Sequence, residues 1–130
     1  MEIRYYKESD ESALLKLLSK DEEWVCYSSP IDWNDYKIAI NQSSVLLLFD
    51  GDEVAAFLRY KMDGSFGVYI YDLLVDKKKR GNNYGQCLID RVGKSHPHDD
   101  ICVMSDNNGY YRKLEYKPIG TIFQIQAKTK

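Results

Sequence analysis

Cysteine is scarce in this chain and badly placed for cross-linking. Cys26, Cys87 and Cys102 make an odd count at irregular spacing with no CxxC, which argues against a disulfide framework. No secretory-signal pattern is read at the first residues, so the thiols are expected reduced and the protein cytoplasmic. Long apolar runs are also missing: none approaches the roughly 18 to 20 residues of a membrane helix, so no membrane partner is expected. A basic surplus is absent too. The formal net charge is −2, and a protein that neutralises many phosphates normally carries the opposite balance, so nucleic acid is not an expected partner. The two histidines, His96 and His98, lie in "SHPHDD" beside Asp99 and Asp100 with no second ligand cluster elsewhere, so no metal is assigned. No repeat, low-complexity stretch or linker divides the chain. Residues 1–130 are read as a single domain.

What is present is ordinary for a globular protein, with 44% hydrophobic and 29% charged residues. "EIRYY" reads as a strand, and "ESDESALLKLLSK" then starts a helix, with Ser9 or Asp10 as its cap and Leu14, Leu15, Leu17 and Leu18 on its buried side. After an irregular stretch, "IDWNDYKIAI" resumes as a helix with Asp32 a possible cap and Trp33, Tyr36 and Ile40 at helical spacing. From Ser43 to Asp76 three strands are expected as an antiparallel meander, joined by "DGDE" and "DGS", the last strand running from Phe66 to Val75. A helix from about Tyr84 to Gly93, a strand "ICVMS", a short helix around "NNGYYRKL" and a final strand "GTIFQIQAK" complete the order β, α, α, β, β, β, α, β, α, β.

The stretch that carries chemistry is "LLVDKKKRGNNYGQCLIDRV", an apolar strand, four basic residues, a Gly-Asn turn and an amphipathic helix. Taken alone, the run Lys77 to Arg80 reads as a solvated turn. Between a strand and a helix start it reads as an anion cradle, because unpaired backbone N–H groups and the helix dipole both favour phosphate there.

This segment resembles the acyl-CoA motif of the GNAT superfamily of N-acetyltransferases: an Arg or Gln, two residues, Gly, one residue, then Gly or Ala. Arg80 and Gly85 match its ends, and Asn83 replaces the middle Gly; Asn visits the left-handed conformation more readily than other side chains. "EIRYYKESDESALLKLL" is similar to the family's opening strand and helix. "GYYRKLEYKPIG" is similar to its later Gly-Phe-Tyr segment, with Tyr111 on the tyrosine and Glu115 in place of a glycine.

The resemblance implies an α/β fold, a mixed sheet flanked by helices and splayed between the strand ending at Val75 and the strand Ile101 to Met104, with acetyl-CoA as cosubstrate in the gap. It places Leu73, Leu74 and Val75 along the pantetheine arm. Lys79, Arg80, Gly81, Asn82, Asn83, Tyr84, Gly85 and Gln86 surround the pyrophosphate, with Lys78 adding charge. It implies direct transfer of an acetyl group to a primary amine of a small molecule or peptide. A backbone N–H near Leu73 would stabilise the oxyanion, Tyr111 would protonate the departing thiolate, and Asp72 would bind the amine or relay its proton. A homodimer completing the acceptor site is expected. A catalytically silent CoA- or acyl-CoA-binding regulatory module is the alternative, and an acyl group other than acetyl stays open. Trp24, Tyr27, Trp33 and Tyr36 either line the acceptor pocket or cap the sheet. Asp21 to Glu23 either draw a cationic acceptor or end a helix. Alternation along the strand puts Val68, Ile70, Asp72 and Leu74 on one face and Tyr69, Tyr71, Leu73 and Val75 on the other unless a bulge intervenes.

Overall fold

A computed structural model describes residues 1–126. Five strands, β1 (Glu2–Tyr5), β2 (Ser44–Asp50), β3 (Glu53–Met62), β4 (Val68–Val75) and β5 (Ile101–Val103), form one sheet in sequence order. The first three pairings are antiparallel and β4–β5 is parallel. A parallel pair needs a crossover, and α3 (Tyr84–Ser95) supplies it. Helices α1 (Glu11–Ser19) and α2 (Pro30–Asn41) cover one face, and α4 (Asn108–Lys113) follows β5.

Strand alternation divides the core into two layers. Val45, Leu47, Phe57 and Leu74 meet Leu14, Leu17 and Leu18 of α1 and Trp33, Tyr36 and Ile40 of α2 on one face. Leu46, Leu48, Leu58, Val68 and Ile70 meet Leu88 and Val92 of α3 on the other. Both faces of the central strands are therefore buried, which explains why "VLLL" and "VAAFL" read as continuous apolar runs. Among the described residues no helix is long and apolar enough to cross a membrane.

Three expectations change. The cap of α2 is Ser29 rather than Asp32: the Asp32 N–H donates to Ser29 Oγ, whose hydroxyl in turn donates to the Asp32 carboxylate, and Pro30 occupies the first helical position. Strand β4 starts at Val68, because Phe66 belongs to the turn, where its N–H donates to Asp63 O and Asp63 N–H to Gly67 O. The final strand does not form. Residues 120–126 have no ladder partner, and Ile122, Phe123 and Ile125 stand 67%, 82% and 91% exposed; a period-two apolar pattern makes a strand only where an edge pairs with it. The rest of that expected strand lies outside the described residues.

Asp10 sits at the start of α1 but does not cap it with its side chain. Its carboxylate turns back to take both Arg4 guanidinium nitrogens at 2.7 and 2.8 Å and the Lys7 N–H at 2.8 Å, tying β1 to the helix. The Arg4 hydrogen bonds hold its pKa below the usual carboxylate range. A depressed folded-state pKa contributes stability that is present above the unfolded value and lost as pH falls through the folded one. Asp10→Asn should therefore cost about 1–2 kcal/mol near neutrality, Arg4 being partly solvated. The deficit relative to wild type should shrink in denaturation curves recorded below roughly pH 4. A deficit that stays constant down to low pH would show that the ion pair is not its source.

Candidate functional site

The sheet opens where β5 ends. Ile70 O accepts from Met104 N at 2.9 Å, and from Tyr71 onward β4 has no pairing with β5. A bulge at this point resets the strand. Asp72 faces Arg59 and Ile70 faces Tyr60 on β3, so Tyr71 is the extra residue. The simple alternation is thereby corrected: Val68 and Ile70 pack with Leu73 and Val75 on the α3 face, while Asp72 and Leu74 turn to the α1–α2 face. Since Asp76 N–H donates to Ala55 O on β3, alternation directs the backbone groups of Leu73 and Val75 into the opening. Arg80 Nε reaches Val75 O from that side at 3.4 Å.

The chain then enters the basic turn. Asn83 precedes α3 at φ 61°, the left-handed conformation a Gly would supply, and Gly81 stands at φ 92°. None of the backbone N–H groups from Arg80 to Gln86 donates a hydrogen bond to an acceptor among the described residues; the first bond of α3 comes from Cys87 N to Asn83 O. A row of free N–H groups at the start of a helix of this length fits an anion. The side chains around it are engaged with the chain's own carboxylates. Lys77 pairs with Glu22 at 3.1 Å, Lys79 with Asp50 at 3.1 Å, and Arg80 with Asp21 at 3.7 Å. Tyr84 donates to Asp50 as well. The Lys77 and Lys79 pairs are solvent-exposed and individually weak, and Arg80 meets the buried Asp21 only at 3.7 Å, so a phosphate can compete for the cations.

Gly85 is buried in the first turn of α3, and its missing side chain makes room for Tyr110. A Cβ built there would stand 2.4 Å from the Tyr110 hydroxyl and 3.6 Å from Leu73 Cδ2. Nothing in the local pattern around Gly85 points to its partner, a tyrosine of α4.

Tyr111 lines a cleft of about 410 Å³ together with Tyr71, Asp72 and Leu73 of β4, Val103 to Asp106, Ile122, and Glu23, Trp24 and Tyr27 from the segment before α2. Burial first, then the neighbouring Tyr110, Asp106 and Tyr116, pushes the Tyr111 phenol up to about 12. It stays protonated at neutral pH, as a proton donor must. Its placement depends on the second residue after α4. Glu115 adopts φ 65°, its N–H donates to Arg112 O, and Tyr116 is carried round so that its N–H donates to Tyr111 O and its ring lies 6.5 Å from the Tyr111 ring. A left-handed conformation costs a side-chain-bearing residue about 1 kcal/mol relative to Gly. Glu115→Gly should accordingly raise the unfolding free energy by about that amount; an unchanged or lowered denaturation midpoint would contradict the strain.

Asp72 also reaches the cleft, but not as a free carboxylate. Its Oδ2 takes both the Tyr36 hydroxyl at 2.6 Å and Arg59 Nε, leaving Oδ1 for a ligand. Tyr36 is raised well above the ordinary phenol value by burial and by Asp72. Arg59 lies between the Tyr36 and Tyr71 rings at 5.7 and 5.3 Å. The sequence carried one signal for this partner: Arg59 is a cation inside the apolar strand "VAAFLRY", across a hairpin from Asp72. Of the four aromatics between α1 and β2, Trp24 and Tyr27 line the cleft, whereas Trp33 and Tyr36 are core. Asp21 and Glu22 go to the basic turn, and Glu23 alone of "DEE" lines the cleft. Cys87 packs with the α3-face core. His96 sits by Tyr60 and Asp99, at 3.4 Å each, and no cluster of three metal-ligating side chains occurs among the described residues.

A family model described as the acetyltransferase (GNAT) family matches residues 12–121. Among curated proteins no match is found. A GNAT family acetyltransferase from Streptococcus pneumoniae TIGR4 superposes with a TM-score of 0.72 at 18% identity, over 97% of this chain and 98% of its own. A ribosomal-protein-alanine N-acetyltransferase from Brucella melitensis biovar Abortus 2308 gives 0.75 at 11%, over 98% and 100%. A transcriptional regulator from Bacillus halodurans C-125 gives 0.75 at 16%, over 97% and 99%. At these identities the likeness is one of fold.

Proposed function

Because this chain belongs to the GNAT acetyltransferase family, we propose that it moves an acetyl group from acetyl-CoA to a primary amine of a small molecule or peptide by direct transfer. The observation that carries this reading is the continuity of three features: the open edge of β4 at Leu73 and Val75, the free N–H row from Arg80 to Gln86, and the protonated Tyr111 in the same opening.

The residues divide the work accordingly. Leu73 and Val75 hold the pantetheine arm through their backbone groups, and the turn from Arg80 to Gln86 binds the pyrophosphate, with Lys78 and Lys79 beside it. Asp72 Oδ1 accepts a hydrogen bond from the acceptor nitrogen and orients it. The neutral amine attacks the thioester carbonyl, and the C–N bond forms as the C–S bond breaks. Tyr111 gives its proton to the sulfur, and the proton lost by the nitrogen passes to water, from which the phenolate is reprotonated. The products are the amide and free CoA.

The engagement of Asp72 by Arg59 and Tyr36 favours a second reading, a module that binds CoA without transferring from it. Calorimetric titration with acetyl-CoA, followed by thiol release over a panel of amines, separates the two. Binding with amine-dependent release supports the transferase. Binding without release supports the module, and absence of binding overturns both. A homodimer is also proposed, its second copy completing the acceptor site; light scattering at several concentrations tests it.

A further inference from the structure

Arg59 stands behind the cleft wall. It is not among the residues that line the opening, whereas its partner Asp72 is. The two are paired across β3 and β4, and the bulge at Tyr71 turns the Asp72 carboxylate toward the guanidinium. Each side chain is 15% exposed, so the ion pair is largely out of water. Arg59 Nε and the Tyr36 hydroxyl both donate to Oδ2, while Oδ1 accepts no hydrogen bond among the described residues. The other ionisable groups facing this spot are Tyr71 of β4, Glu23 and Tyr27 from the segment before α2, Asp106 after β5, and Tyr111 of α4. Glu23 and Asp106 are exposed, so salt screens them far more than the Arg59–Asp72 pair.

A carboxylate that orients an amine also works against its reactivity. The nitrogen must be neutral to attack, and an unpaired carboxylate beside it favours the ammonium form. A carboxylate already paired with a guanidinium still accepts a hydrogen bond, but the charge it presents to a nitrogen on its far side is largely offset. Resting on the transferase reading above, we infer that Arg59 is a positioning residue that aims Asp72 Oδ1 and offsets its charge, so that the acceptor amine is oriented without being held as ammonium. The ammonium releases its proton to water, and the neutral nitrogen keeps an N–H on Oδ1 as it attacks. A guanidinium stays charged throughout the assay range, so the offset does not itself titrate. The engagement of Oδ2 is then part of the transferase and not an obstacle to it.

The test follows kcat and KM against pH for glycinamide, n-butylamine and every other panel amine that is acetylated. The rising limb of kcat reports the amine in the bound complex. For glycinamide, an α-amine of ordinary pKa about 8, that limb falls where Tyr111 stays protonated. Arg59→Gln keeps a donor for Asp72 and removes the cation. Its limb should move up by about one pH unit, and below it kcat and KM should fall together by about 10-fold, because the ammonium binds more tightly and reacts less often. Arg59→Lys keeps the cation and should keep the limb in place. Asp72→Asn leaves the cation unopposed, so its limb should move down with a raised KM, and Arg59→Gln/Asp72→Asn should return it to the wild-type position. That last comparison stands even if Arg59→Gln alone fails to fold. A raised KM with an unmoved limb in Arg59→Gln, or equal limbs in Asp72→Asn and the double variant, would overturn this inference and leave the transferase reading standing. CoA binding with no transfer to any amine would overturn both.

Discussion

Tyr111→Phe should lower turnover by about 10²-fold while leaving acetyl-CoA affinity close to wild type. The size follows from removing a positioned proton donor from a reaction whose leaving group departs as an anion. The preserved affinity follows from the geometry: the free N–H row and the β4 edge are backbone features that do not involve the Tyr111 hydroxyl. Phenylalanine keeps the ring contacts with Tyr110 and Tyr116, so the loop after α4 should stay in place. Since burial raises this phenol to about 12, the wild-type rate should show no loss of its acid between roughly pH 7 and 10. Stopped thiol-release assays and calorimetry on the same preparation check both halves. Unchanged turnover would remove Tyr111 from the mechanism, and a parallel fall in affinity would make it a binding residue instead.

The second large effect is expected at Gly85. Gly85→Glu should abolish measurable acetyl-CoA binding, a loss of 10²-fold or more by analogy with a buried charge lacking a partner. The side chain has nowhere to go: its first carbon meets the Tyr110 hydroxyl, and the carboxylate would stand beside the N–H row meant for another anion. Bulk and charge are separable. Gly85→Ala keeps only the first carbon, and Tyr110→Phe removes the oxygen that stands 2.4 Å from it, leaving the ring carbon at 3.4 Å. The Gly85→Ala/Tyr110→Phe pair should therefore bind acetyl-CoA more tightly than Gly85→Ala alone. Retained affinity in Gly85→Glu would mean that the turn is not the phosphate site. Absence of any rescue in the double variant would mean that Tyr110 is not what the glycine accommodates.

Much of this architecture could be read from local pattern. The apolar runs "VLLL" and "VAAFL", the turns between them, the helical spacing of Trp33, Tyr36 and Ile40, and the strand-turn-helix around Arg80 are properties of neighbouring residues, and the structure keeps them. Asn83 is a further case: its left-handed backbone follows from a side chain that tolerates that conformation. The same local logic misplaced a strand at the end, because the pattern in "GTIFQIQ" records suitability for pairing and not the presence of an edge to pair with.

The family resemblance singled out Tyr111, whereas local pattern set the order of elements as far as α4 and the strand-turn-helix that leads from β4 into α3. These depend on contacts within a few residues, where propensity, period and backbone donors decide the outcome. What those groups face follows from long-range packing instead. The bulge at Tyr71 sent Asp72 to Arg59 and Tyr36, Tyr110 claimed the space above Gly85, and the basic run met Asp21, Glu22 and Asp50. Each of these is a meeting of residues far apart along the chain. A one-residue change of strand register or one helix placement moves such partners to another face, which no local pattern can encode.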